Sequence, residues 1–104
     1  IKISENMIKA INDKLASEVL LIDYLNEGYS DQFNINILNL LKKFETPLIC
    51  FGGISNENLI KKIAKKENVN AVAIGNSLNY KEISVQNLKK NLIHSGFRKP
   101  IFIN

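Results

Sequence analysis

Apolar residues fall along this chain in two alternating rhythms. One recurs at helical spacing: Met7, Ile8, Ile11 and Leu15, then Ile35, Ile37, Leu38, Leu40, Leu41 and Phe44, then Leu59, Ile60 and Ile63, then Val85, Leu88, Leu92 and Ile93. The other is a short run without alternation, unbroken from Pro47 to Phe51 and from Ala71 to Gly75 and interrupted by Asp23 from Val19 to Leu25. Such runs read as parallel strands buried on both faces. Ser4, Ser55 and Ser84 stand where helix N-caps belong, and Gly96 where the last helix should stop. The predicted order is α-β-α-β-α-β-α. That alternation implies a parallel sheet with right-handed crossovers, either open and doubly wound or part of a closed barrel. No linker or second domain interrupts it. Ile101 to Ile103 is an apolar tail that can pair or pack at a sheet edge.

Two strand ends carry the main chemical signal. Pro47-Leu48-Ile49-Cys50-Phe51-Gly52-Gly53 ends in a glycine pair, and Ala71-Val72-Ala73-Ile74-Gly75-Asn76 ends in Gly-Asn. Glycine amides at a strand-to-helix turn can hold a phosphate, because no Cβ blocks the approach and the helix N-terminus adds partial positive charge. The same glycines also suit a plain tight turn. Asn76 and Ser77 can add side-chain donors. The spacing is neither a dinucleotide fingerprint nor a Walker loop. Glu27-Gly28 closes the first strand, where a carboxylate can do acid–base work, orient a hydroxyl or sit in a solvated turn. Asp23 lies within that strand and needs a partner if it points inward. Tyr29 and Phe33 can line a pocket or close it.

The remaining chemistry is sparse. His94 lies near a helix end, where a positive charge is favourable but barrel chemistry is not found. Cys50, inside an apolar strand, reads as an inert core thiol. With one cysteine no internal disulfide forms, which fits a reducing cytoplasm. No cofactor is implied, and no metal-ligand spacing occurs. No apolar run reaches the roughly 18 residues a membrane span needs. The net charge of +4 comes largely from lysine pairs on helices, at 42–43, 61–62, 65–66 and 89–90. These read as solvated faces with few interleaved aromatics, which argues against nucleic acid. A basic surface does help draw in phosphorylated substrates.

The chain resembles the carboxy-terminal half of the cyclase subunit of imidazole glycerol phosphate synthase, a histidine-biosynthesis family. The resemblance runs from about Ala16 to Arg98. It is carried by Glu18-Val-Leu-Leu-Ile-Asp, the Glu27-Gly28 loop, Thr46-Pro-Leu-Ile-Cys-Phe-Gly-Gly53, Asn70-Ala-Val-Ala-Ile-Gly-Asn76 and Tyr80-Lys-Glu-Ile-Ser-Val-Gln-Asn-Leu-Lys-Lys90. It implies an α/β fold, the carboxy-terminal half of a (β/α)8 barrel, in which residues 1–104 supply strands six to eight. A whole barrel takes roughly 250 residues, and the chain opens on Ile1 rather than Met, so a fragment or truncated gene product is expected. The resemblance further implies a phosphorylated ribonucleotide as substrate and ammonia from a glutaminase subunit. Gly28, Gly52, Gly53, Gly75 and Asn76 fall where the family binds one substrate phosphate. Glu27 falls where the family has aspartate.

The family's two catalytic aspartates lie on the first and fifth strands, so no catalytic residue falls in this chain. Leu25 replaces a family aspartate, Tyr29 a threonine and Phe51 a serine, and Gln32-Phe33-Asn34 stands for Gly-Tyr-Asp. Two alternatives stand beside this reading. One is the barrel paralog of surface-sugar biosynthesis, which also works with an amidotransferase. The other is a non-catalytic half-barrel that binds phosphate or self-associates through exposed sheet edges.

Overall fold

A computed structural model describes residues 3–80 and 85–102. Three four-residue strands, β1 (Val19–Ile22), β2 (Leu48–Phe51) and β3 (Val69–Val72), form one parallel sheet in the order β1-β2-β3. Five α-helices are described: α1 (Glu5–Asn12), α2 (Leu38–Leu41), α3 (Glu57–Ala64), α4 (Ser77–Tyr80) and α5 (Val85–Asn91). Two 3-10 turns, Ile35–Ile37 and Ile93–Ser95, adjoin α2 and α5. Strands taken in chain order, all parallel, carry their crossovers in one direction. With the usual handedness both connecting helices then lie on the same face. The sheet belongs to the α/β class and matches a sector of a (β/α) barrel rather than a doubly wound sheet.

Burial agrees with one-sided packing. Leu48 and Cys50 of β2 are buried with Leu38, Leu41, Phe44, Ile60, Ile63, Leu88 and Leu92. Alternate strand residues point to opposite faces. On the other face Leu20 and Ile22 are 55% and 44% exposed. Their register partners Ile49 and Phe51 are half-buried. The runs that read as buried on both faces are therefore covered on one.

Several boundaries differ from the sequence reading. The first helix ends at Asn12, so Leu15 lies outside it and is exposed. The first strand stops at Ile22, because Asp23 turns its side chain into the following loop. The second helix is only one α-turn after a 3-10 turn, capped by the Asn34 side chain. The third helix is capped by Asn56, whose side chain accepts from Leu59 N–H at 2.9 Å, and not by Ser55. Asn56 lies one residue nearer the helix, and Ser55 is engaged elsewhere. The third strand runs Val69–Val72 and ends before Gly75. The short helix α4 was not expected. Gly96 does close the last turn, with φ +81°. In the tail Ile101 and Phe102 are exposed, and Ile101 N–H donates to Gln86 Oε1 rather than to a strand. The expected Ser84 cap lies outside the described residues.

Candidate functional site

The site is built around the loop 23–34 that follows β1. Asp23 is 4% exposed, and its Oδ2 accepts from Asn26 Nδ2 and from Asn34 N–H, both at 2.8 Å. One carboxylate thus ties together the two ends of an eleven-residue excursion. Asp23 N–H also donates to Phe51 O, which extends the sheet register by one bond. Its role is structural: a buried carboxylate satisfied by two donors is stable where an unpaired one is not.

Inside the loop, Tyr29 N–H donates to Asn26 O across a tight turn. Gly28, with φ +87°, takes the third position of that turn, where a type II geometry requires positive φ. Phe33, 5% exposed, belongs to the core and anchors the loop's far end, its N–H donating to Gly53 O at 3.2 Å.

The glycine pair is needed first for this packing. A Cβ on Gly52 would stand 2.5 Å from Asp23 O, and one on Gly53 would stand 2.7 Å from Asn26 O. Both residues also hold positive φ, +103° and +63°. Any side chain would push the first loop away and strain the backbone. Gly75 differs: its φ is outside the left-handed region, and an added Cβ would meet only the Phe51 ring, at 3.2 Å. The tight-turn reading of Gly52-Gly53 is therefore correct as far as it goes, and it leaves room for a second role.

That room is a pocket at the carboxy-terminal edge of the sheet. It is lined by Glu27, Gly28, Gly52, Gly53, Gly75 and Asn76, the six residues singled out from the sequence. Tyr29, Ser30, Phe51, Ile54, Ser55 and Ala73 complete the wall. Asn76 Nδ2 lies 3.6 Å from the position a Gly28 Cβ would take, so the β1 and β3 loops meet across the β2 glycines. The volume is about 70 Å³. A single water needs about 10–15 Å³ by the same measure, so a group of several heavy atoms fits.

Among the described residues no lysine or arginine lines this pocket, and Glu27 is its one carboxylate. Its donors are backbone amides, the hydroxyls of Ser30 and Ser55, and the Asn76 amide. The lysine pairs lie elsewhere; Lys42, Lys65 and Lys66 flank a groove between α2 and α3. Ser30 and Ser55 were not expected at the site. Asp31 was missed altogether, for nothing in its neighbours marks it. Its Oδ1 accepts from Ser55 N–H at 3.2 Å and from Ser55 O–H at 2.6 Å. Partial burial pushes the Asp31 carboxyl up, but hydrogen bonds from Ser55 and Asn56 outweigh this and hold it below the ordinary aspartate range.

Outside the pocket, burial pushes the Cys50 thiol up to about 11, which leaves it protonated and inert at neutral pH. His94 sits exposed in the 3-10 turn after α5. Among the described residues no group of three or more His, Cys, Asp and Glu is placed to hold a metal ion, and no helix is long and apolar enough to cross a membrane.

Consecutive parallel strands that bring their loops to one small donor-lined pocket define a partial (β/α) barrel. The comparisons place it more closely. The family model described as histidine biosynthesis protein matches residues 3–84, and the chain belongs to that family. Imidazole glycerol phosphate synthase subunit HisF of Methanococcus vannielii is 26% identical over 88 residues, which covers 84% of this chain and 32% of that protein. The chain thus spans about a third of that relative's length. No solved structure matches it significantly.

Two outcomes are expected. Gly52→Ala should destabilise the fold by about 2 kcal/mol or more, from positive φ and backbone contact combined. Gly75→Ala should cost less than about 1 kcal/mol, since a ring can shift. Equal denaturation midpoints for the two variants would remove the steric role of Gly52. The second outcome concerns pH. Asp31 has its folded pKa depressed, so its tie to Ser55 adds stability above the unfolded aspartate pKa and loses it as pH falls through the folded value. Hydrogen-exchange protection of the Ser55 amide should follow that course and vanish in acid. Protection that is flat with pH in Asp31→Asn, but falls in wild type, identifies the group.

Proposed function

We propose that this chain is the phosphate-anchoring segment of an imidazole glycerol phosphate synthase-type cyclase, a lyase of histidine biosynthesis. In this reading its strands are six to eight of the (β/α)8 barrel. The supporting observation is the convergence of Gly28, Gly52, Gly53, Gly75 and Asn76 on one pocket at the strand ends. A phosphate there would be held by glycine amides and neutral side-chain donors, as at other strand-to-helix turns. Glu27, on the pocket wall, would face a substrate hydroxyl rather than the phosphate, since like charges repel.

The substrate in this reading is a phosphorylated ribonucleotide. Ammonia would come from a glutaminase partner, and the catalytic acids from strands outside this chain. Ring closure then requires a second polypeptide or a longer one. A phosphate site serves such a reaction by fixing one end of the substrate, so that remote binding energy positions the reacting atoms.

The test is a titration of the chain with inorganic phosphate, and with imidazole glycerol phosphate, followed by amide NMR. Resonances near Gly53, Gly75 and Asn76 should move, and more for the larger ligand. Asn76→Asp keeps the shape but sets a negative charge in the pocket, so it should weaken binding at least about tenfold. Unmoved resonances in wild type would sink the site.

The open sheet face favours self-association as well. Leu20, Ile22, Ile49 and Phe51 present apolar surface, and one edge of β1 and one of β3 have no strand beside them among the described residues. Such surfaces seek partners. The wild type should sediment as an oligomer and the Leu20→Asp, Ile22→Asp double variant as a monomer. A wild type that stays monomeric at high concentration would end this part of the reading.

A further inference from the structure

The tip of the first loop is fastened to the pocket by one side chain. Asp31 Oδ1 accepts both donors of Ser55, a residue of the pocket wall. Asp31 holds φ +58°, a left-handed conformation that aspartate tolerates but does not prefer. Such geometry persists where surrounding contacts hold it. The loop does not need this contact in order to fold. Asp23 binds Asn26 and Asn34, Tyr29 closes its own turn, and Phe33 is fixed to Gly53. Ser30, Asp31 and Gln32, between these anchors, are exposed. The Asp31 carboxylate, bonded to Ser55 and also to Asn56 at the α3 cap, therefore closes the tip against the start of α3.

We infer that Asp31 is an internal anion that occupies Ser55, and that Ser55 becomes a ligand for an incoming phosphate oxygen once Asp31 is displaced. This rests on the phosphate reading of the pocket. A carboxylate and a phosphate seek the same N–H and O–H donors. With Asp31 in place, the Ser55 donors are spent, and a second negative charge stands beside the pocket that already holds Glu27. Displacement frees the two donors and withdraws that charge together. The site is then gated by its own loop, and the apparent affinity is the intrinsic one multiplied by the fraction of time the tip is open.

The experiment is an inorganic phosphate titration of wild type, Asp31→Asn and Asp31→Gly at one pH and ionic strength, read by amide NMR. Asparagine keeps the shape and removes the charge. Glycine suits the positive φ and removes the side chain. Both variants should bind about tenfold more tightly than wild type, the worth of one charged hydrogen bond. The Ser55 amide should be among those that move. Equal or weaker binding by both variants, or a Ser55 amide that stays still while others shift, overturns the gate and leaves the pocket standing. No binding by any of the three proteins overturns the pocket, and the gate falls with it.

Discussion

The buried carboxylate of Asp23 is the constraint on which the rest of the site depends. It is 4% exposed and accepts two short hydrogen bonds, one from each end of the loop 23–34. Those bonds decide that β1 stops at Ile22 and that the chain turns back across the top of β2. The Asp23 main chain then lies so close to Gly52 that no side chain fits there. Loop and glycine pair are two halves of one packing arrangement. The carboxylate, together with Phe33 in the core, holds the loop over the sheet and gives the pocket its wall on the β1 side. Among the described residues no buried side-chain polar atom lacks a partner, so this arrangement carries no unpaired polar group to oppose it.

The pocket that results is electrostatically economical. Among the described residues it offers donors without cations, and two carboxylates, Glu27 and Asp31, stand at it or beside it. Asp31 and Ser55 are paired, so part of the donor capacity is used internally. The same loop that shapes the site thus also limits access to it. The lysine-rich helix surfaces lie apart from it and act at a distance, through the overall field of a chain with net charge +4.

The sheet shows a second economy. Its helices cover one face, where Leu48, Cys50, Ile60 and Ile63 are nearly inaccessible. The other face keeps Leu20 and Ile22 open. In a closed barrel that face would meet the remaining strands. In a chain spanning about a third of its relative's length, it stands exposed. Apolar strands that look buried on both sides are here covered on one.

The class and order of elements were legible from the chain itself. Helical spacing at Leu59, Ile60 and Ile63 and unbroken runs such as Leu48–Phe51 are local patterns, and local patterns follow from backbone periodicity. Six residues that line the pocket were legible too, because glycine at a strand end marks a turn whose backbone stays uncovered. What tertiary structure alone decided was who touches whom. That Asp23 is a staple, that Gly52 yields to Asp23 and Gly53 to Asn26, that Asn56 and not Ser55 caps α3, and that Asp31 reaches Ser55 from 24 positions away all depend on loops meeting in space. Periodicity governs a residue's face, but a contact between distant loops is set by where several turns bring the chain, and no single stretch of sequence encodes that.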